Sequence, residues 1–393
     1  MPLVPRVCVV VCDSWGVGDA PDANAYGDDG SDTLAHTARA VGGLSAPALA
    51  SLGLGRLADI EGVSPGAPDP GTAHGRATAV SAGKDTTTGH WEMMGIRLDR
   101  PFPLYPDGFP PEVLEPFETA IERGVLGNVP ASGTAIIAEL GPEHLRTGKP
   151  IVYTSGDSVF QIATHVDVVP LGQLYDWCEI ARRICRGPHL VGRVIARPFE
   201  GTPGAFVRRP ERRDYAVPPP APTVLDLLIG AGVSVTGIGK IQDIFDHRGL
   251  TDAVYSDSND HGVDLTIEAL GSSRGLVFTN LVDFDSKYGH RNDPAGYAAA
   301  IEALDRRLPE LLAALDGGVV LLTGDHGCDP TTPSTDHSRE RTPLLVAGCP
   351  GGPYDIGTRA TFADLGATVA ELLGVEARGV TGTSFAEALG FQA

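Results

Sequence analysis

Short apolar runs bounded by glycine, aspartate or proline recur along the chain at Val7–Cys12, Val233–Ile238, Leu276–Val282, Val319–Leu322 and Leu344–Ala347. Between them lie stretches with helical spacing: Thr33–Ala40, Thr223–Ala231, Ala295–Leu315 and Phe362–Leu373. Near-continuous apolar strands alternating with helices predict a mostly parallel sheet flanked by helices on both faces, an α/β core. Ser31 or Asp32 is placed to cap the first helix, and Asp293-Pro294 reads as a cap followed by proline at the first helical position. The middle of the chain breaks this rhythm. Two proline-rich passages, Asp99–Pro111 and Ala216–Thr223, enclose β-rich runs at Ile151–Thr154, Val159–Val169 and Val191–Phe199, and an amphipathic helix over Gln173–Cys185. The expected organisation is a discontinuous core of residues 1–100 and 218–393, with an α+β cap domain inserted at 101–217.

Composition narrows the class. Of 393 residues, 20% are charged and 42% hydrophobic, the balance of a soluble globular protein, and the apolar runs are far too short to span a bilayer. The N-terminal MPLVPRVCVVVCD carries no basic leader pattern, and no pair of the six cysteines has metal or redox spacing. Reduced thiols in a cytoplasmic protein are therefore expected. A formal net charge of −20 argues against nucleic acid or an anionic membrane as partner, and nothing marks an obligate protein partner. A phosphorylated substrate would need a local cluster of cations to overcome that field. Nine arginines between Arg182 and Arg213 supply one.

The polar residues that follow the apolar runs carry the chemistry. Asp13 follows the first run, Asp285 and His290 follow the third, and Asp325, His326 and His337 follow the fourth in LLTGDHGCDPTTPSTDH. Carboxylates and imidazoles gathered at the carboxyl edge of a sheet are the ligands of a metal centre. Each histidine alone reads more readily as a structural one, but the joint occurrence points to metal. Ala82–Gly95, AGKDTTTGHWEMMG, places threonines at the start of a helix, where free amides and the helix dipole favour phosphate. A hydroxyl needs a base or a metal to become a nucleophile, so this motif and the metal centre complement each other. Residue chemistry alone does not choose among Thr86, Thr87 and Thr88.

DSWGVGDAPDA, GKDTTTGHWEMMG, YTSGDSVFQIA, GRVIARPF, GIGKIQDIF, NLVDFDSKYGHRND and DHGCDPTTPSTDHSRE together resemble the phosphopentomutase family of the alkaline phosphatase superfamily, from about Val7 to Thr383. The resemblance implies an isomerase that interconverts the 1- and 5-phosphates of ribose and deoxyribose, with two Mn²⁺ ions and a sugar bisphosphate as activator. It implies Asp13, Asp325 and His326 on one metal and Asp285, His290 and His337 on the other. Thr86 resembles the phosphorylated nucleophile and should touch a metal. Three Asp and three His suit Mn²⁺ without excluding Zn²⁺, Fe²⁺ or Co²⁺. Ser155 and Asp157 would contact sugar hydroxyls, while Arg193, Arg208 and Lys240 would hold the distal phosphate. Lys84, Trp91 and Glu92 fit packing or orienting roles. Three departures stand out: Cys328 where asparagine is common, Ser334 where glycine is usual, and GAFVRR in place of GNFxRT.

Two other readings remain in view. One is a sister enzyme, a phosphohydrolase or a serine-using phosphoglycerate mutase, and the other is a metal-binding protein without activity. Release of inorganic phosphate separates the first from a mutase, and metal-dependent turnover removes the second.

Overall fold

The computed structural model describes residues 2–155, 158–272 and 274–392. The chain divides into two compact units, Met1–Pro101 with Pro218–Ala393, and Phe102–Val217.

The first unit is built on an eight-stranded sheet: β1 (Arg6–Cys12), β2 (Thr72–Ala77), β3 (Ser234–Ile238), β4 (Asp252–Val254), β5 (Gly275–Leu281), β6 (Val319–Thr323), β7 (Thr342–Ala347) and β8 (Tyr354–Arg359). Their order across the sheet is β4-β3-β5-β1-β6-β7-β2-β8, and only β7 runs against the others. The central strands β5, β1 and β6 are buried almost throughout, because helices cover both faces. Their β-branched and aliphatic residues each contribute roughly 1.5–3 kcal/mol of burial. The edge strands behave differently: β4 is short and exposed, and β8 is broken by a register shift, which leaves little free edge for another chain to pair with.

Helix Thr33–Val41 is capped by Asp32, whose side chain accepts from the Ala35 amide. Thr223 and Asp226 form a reciprocal capping box at the head of Val224–Gly230. Helix Pro294–Ala313 starts on Asp293, which accepts from the Gly296 amide, and buries Tyr297, Ile301, Leu304, Leu308 and Leu311 at helical spacing.

The second unit carries its own mixed sheet, ordered Leu126–Pro130, Ile151–Thr154, Val159–His165, Arg193–Glu200 and Val207–Arg208, with Arg213–Ala216 also paired to Arg193–Glu200. Helix Leu171–Ile184 buries Leu174, Trp177, Cys178 and Ala181, the i, i+3, i+4, i+7 stripe, in a core with Phe117, Phe160 and Val194. Two further helices, Pro111–Ile121 and Gly133–Thr147, were not expected from the sequence pattern. No helix among the described residues is long and apolar enough to cross a membrane.

Candidate metal centre and nucleophile

Because β5, β1 and β6 are parallel neighbours in register, with Cys12 opposite Leu281 and Val11 opposite Thr323, their carboxyl ends coincide. Asp13 follows β1 directly, and Asp325 and His326 lie just past β6. Asp285 rides on a π-turn at Phe284–Tyr288, past β5. The backbone leaves β1 sharply: Ser14 adopts φ 71°, a strained conformation for a side-chain-bearing residue, and its amide donates to Asp325 Oδ1 at 3.0 Å. At Gly324 a Cβ would stand 2.2 Å from the Trp15 carbonyl oxygen, so only glycine lets β6 pass so close to this turn.

One cluster is Asp13, Asp325 and His326, all buried, with ligand atoms within 4.8 Å of one another. His326 Nε2 is 3.3 Å from Asp325 Oδ2 and 3.5 Å from Asp13 Oδ1. Asp285 Oδ2 lies 3.3 Å from His290 Nε2 and its Oδ1 3.4 Å from His337 Nε2, while the two Nε2 atoms are 3.2 Å apart. His337 reaches the centre because the loop after β6 folds back on itself: Gly327 and Ser338 exchange backbone hydrogen bonds at 3.0 and 2.8 Å. The His326 and His337 rings then sit 3.9 Å apart between centroids, and His326 also shares a ligand cluster with Asp285 and His337.

These groups fit divalent ions on their own geometry. Tetrahedral donors at ordinary metal–ligand lengths lie about 3.3 Å apart, the spacing observed here. Asp285 Oδ1 and Asp325 Oδ2 are buried without a hydrogen-bond partner among the described residues. The outward nitrogens of His290 and His326 are tied to the carbonyls of Thr335 (2.7 Å) and Gly327 (3.0 Å), which turns both Nε2 atoms inward.

Without a cation the centre is electrostatically uneven. Burial pushes the Asp13 carboxyl well above its usual range, and Asp325 and Asp285 add to the effect. Burial acts the same way on Asp325, but His326 and His90 hold it down at about 2. Burial likewise opposes protonation of His290, which hydrogen bonds with Asp285 and Cys328 drive up to about 12.

Thr86 opens helix Thr86–Met93, whose cap is Asp85 accepting from the Thr88 amide. Its hydroxyl is 3.1 Å from His326 Nε2 and 3.4 Å from Asp13 Oδ1. Thr88 instead donates its hydroxyl to Asp85 at 2.6 Å, so of these two Thr86 is the one that faces the cluster. A Cβ on Gly89 would lie 2.3 Å from the Asp325 carbonyl oxygen, so glycine at this position lets the helix press against the loop that carries Asp325 and His326. Lys84 pairs with Asp28 and Asp336, and Trp91 donates to the Ile244 carbonyl. Glu92, fully buried, accepts from the amides of Val80, Ser81 and Phe362 and from the Thr361 hydroxyl. It fastens two segments, residues 80–81 and 361–362, to helix Thr86–Met93. Glu92→Ala should cost about 3 kcal/mol or more by orphaning those donors, read as a lower denaturant midpoint; a loss under about 1 kcal/mol would contradict this role.

Three residues of the site were not singled out in the sequence. His90 Nδ1 lies 3.3 Å from Asp325 Oδ2 and 2.9 Å from the Thr86 carbonyl oxygen. Asn280 donates to Asp13 Oδ2 at 3.0 Å; an amide side chain near the end of a mostly apolar strand was its available signal. Glu340 accepts from the Thr33 amide and from the hydroxyls of Thr33 and Ser338, locking the loop behind His337.

The expected substrate residues fall in both units. Lys240 begins the short helix Ile241–Ile244 in the first unit, and its charge draws the Asp13 carboxyl downward against burial. In the second unit, Arg193 contacts Asp214 at 3.5 Å, and Arg208 lines a cavity of about 370 Å³ with Arg197, Arg209 and Arg212. Ser155 is half-buried beyond Ile151–Thr154. Asp157 lies outside the described residues.

Paired clusters of carboxylate and imidazole at the carboxyl edge of a parallel sheet define a metal-dependent enzyme, and the sequence model of the metalloenzyme superfamily matches residues 5–377. The phosphopentomutase of Anaeromyxobacter dehalogenans (strain 2CP-C) is 61% identical over 384 residues, 97% of each chain. That of Caldanaerobacter subterraneus subsp. tengcongensis is 53% identical over 386 residues, 98% of each. Among solved structures, the phosphoglycerate mutase of Leishmania mexicana aligns over 97% of both chains, with TM-score 0.49 and 14% identity. The chain belongs to the phosphopentomutase family. It is accordingly an isomerase of the phosphomutase type within a metalloenzyme superfamily, with residue groups that could hold divalent metal.

Proposed function

We propose that the chain interconverts ribose 1-phosphate and ribose 5-phosphate, and the 2-deoxyribose equivalents, through phosphothreonine at Thr86 and a pentose 1,5-bisphosphate. The observation that carries this reading is the Thr86 hydroxyl at the head of a helix, within 3.1–3.4 Å of a residue pair that belongs to a ligand cluster. Asp13, Asp325 and His326 would hold one ion and Asp285, His290 and His337 a second, Mn²⁺ in the first instance. When bound, the ions neutralise the transferring phosphoryl oxygens and lower the pKa of the threonine hydroxyl.

The chain's own residues do the rest. Phosphothreonine 86 gives its phosphoryl group to the free sugar hydroxyl: the bond from phosphorus to Thr86 Oγ1 breaks, the bond to the sugar oxygen forms, and the hydroxyl proton returns to the threonine side. The bisphosphate reorients, and the other phosphate passes back to Thr86. The helix N-terminus favours the phosphate charge at each stage. Ser155 and Asp157 would orient the sugar, with Arg193, Arg208 and Lys240 on the distal phosphate, which makes the inserted unit a substrate-binding cap. A sugar bisphosphate would phosphorylate Thr86 at the outset.

The test is conversion of ribose 1-phosphate, with deoxyribose 1-phosphate in parallel, in the presence of Mn²⁺ and a sugar bisphosphate. Isomer should form without net inorganic phosphate. Phosphate release without ribose 5-phosphate would instead identify a hydrolase.

A further inference from the structure

Beside the second cluster stands a thiol that the six expected ligands do not include. Cys328 Sγ, Asp285 and His290 have ligand atoms within 4.8 Å of one another, and all three lie on the same loops past β5 and β6. Cys328 is 1% exposed. Its position is fixed from two sides. Its amide donates to Thr33 Oγ1 at 3.0 Å, and Gly289 leaves it room, since a Cβ there would come 2.9 Å from the sulfur. Of the other two members of the group, Asp285 has a buried Oδ1 with no hydrogen-bond partner among the described residues, and His290 presents Nε2 inward because Nδ1 is held by Thr335.

We propose that Cys328 is a fourth protein ligand to the ion at Asp285, His290 and His337, and that it biases this position toward Zn²⁺ or Co²⁺ over Mn²⁺. The proposal rests on the metal-centre reading above and extends it. Sulfur is a soft donor: it favours zinc and cobalt, whereas a site of carboxylate and imidazole alone is hospitable to manganese. On binding, the S–H bond breaks, the metal–sulfur bond forms, and one proton passes to solvent. The thiol is already held beside the centre, where it donates to the Asp336 carbonyl at 3.6 Å, a contact that metal binding would replace. The two ions of this chain would then differ in character, one held by oxygen and nitrogen only, the other with sulfur.

Cobalt substitution of the full-length protein reads this directly. Co²⁺ should give its visible ligand-field bands together with a near-ultraviolet thiolate-to-cobalt charge-transfer band. Cys328→Ser should keep the visible bands and lose the ultraviolet one. In direct competition the variant should lose at least about tenfold of the Zn²⁺-over-Mn²⁺ preference. Cobalt bound without the charge-transfer band, or a band that survives in Cys328→Ser, overturns the proposal while leaving the metal centre in place. Failure to bind Co²⁺ at all overturns the metal-centre reading and the proposal with it.

Discussion

Thr86→Ala should lower mutase turnover by at least about 10⁴-fold, since in the proposed mechanism the change removes the covalent nucleophile and leaves only positioning and electrostatics. The fold gives little reason for collateral damage. The helix cap belongs to Asp85, and the threonine side chain is half-buried, with its hydroxyl directed at His326 and Asp13. Metal binding, read as a rise in Tm on adding Mn²⁺, should survive at reduced strength. The decisive measurement is acid-stable phosphoprotein formed from a sugar bisphosphate. Wild type should accumulate it and Thr86→Ala should not, while Thr86→Ser should retain it with slower turnover. Phosphoprotein in the alanine variant would place the nucleophile elsewhere, with Thr87 and Thr88 the nearest hydroxyls.

Asp13→Asn should act in opposite directions on the metal-free and metal-loaded protein. Without metal, Asp13, Asp325 and Asp285 crowd a buried space, and burial with its carboxylate neighbours lifts the Asp13 carboxyl well above 3.8. A folded-state value above the unfolded one means that its contribution to stability is complete below 3.8 and is lost as pH rises through the folded value. At neutral pH the side chain is therefore a burden, and asparagine, which can still meet Asn280, should stabilise the metal-free protein by roughly 1–3 kcal/mol. In the proposed centre the same change removes an anionic ligand, so Mn²⁺ affinity should fall more than about 100-fold. Chelator-treated protein should show the higher denaturant midpoint in the variant, and metal-loaded protein the lower. A variant less stable than wild type in both conditions would mean that Asp13 serves as a structural anchor.

The strands that carry the centre were legible because they are apolar on both faces and each ends in a carboxylate or imidazole. β2 and β8 were not. Thr72–Ala77 reads TAHGRA, with no apolar run, yet it is buried because β7 and the covering elements enclose it. β8 is an exposed edge with a register shift, where period-two alternation fails. Helices Pro111–Ile121 and Gly133–Thr147 were hidden by Pro116 and Pro142 inside them and, in the second, by Gly141. That glycine is a packing requirement, since a Cβ there would come 2.4 Å from Phe206. In the site, Thr86 could be separated from Thr87 and Thr88 only by resemblance, and geometry adds a physical reason. Glu92 was placed in a packing or orienting role by its motif alone, while its partners at 80–81 and 361–362 were not legible. His90 reaches Asp325 across 235 residues, so nothing in its local pattern distinguishes it from an ordinary core histidine.

The central position of β1 has a consequence for how the chain is made. β1 pairs with β5 and β6, so Gly275, the partner of Arg6, is synthesised 269 residues later. At ordinary ribosomal speeds of about 5–20 residues per second, the most apolar segment of the sheet waits on the order of tens of seconds with both hydrogen-bonding edges open. The insert can collapse on its own core during that interval, but the sheet cannot. Nascent chains should therefore depend on chaperone shelter until β6 emerges. Metal ions supplied during translation should find neither cluster complete on a chain released before residue 326, since the first needs Asp325 and His326.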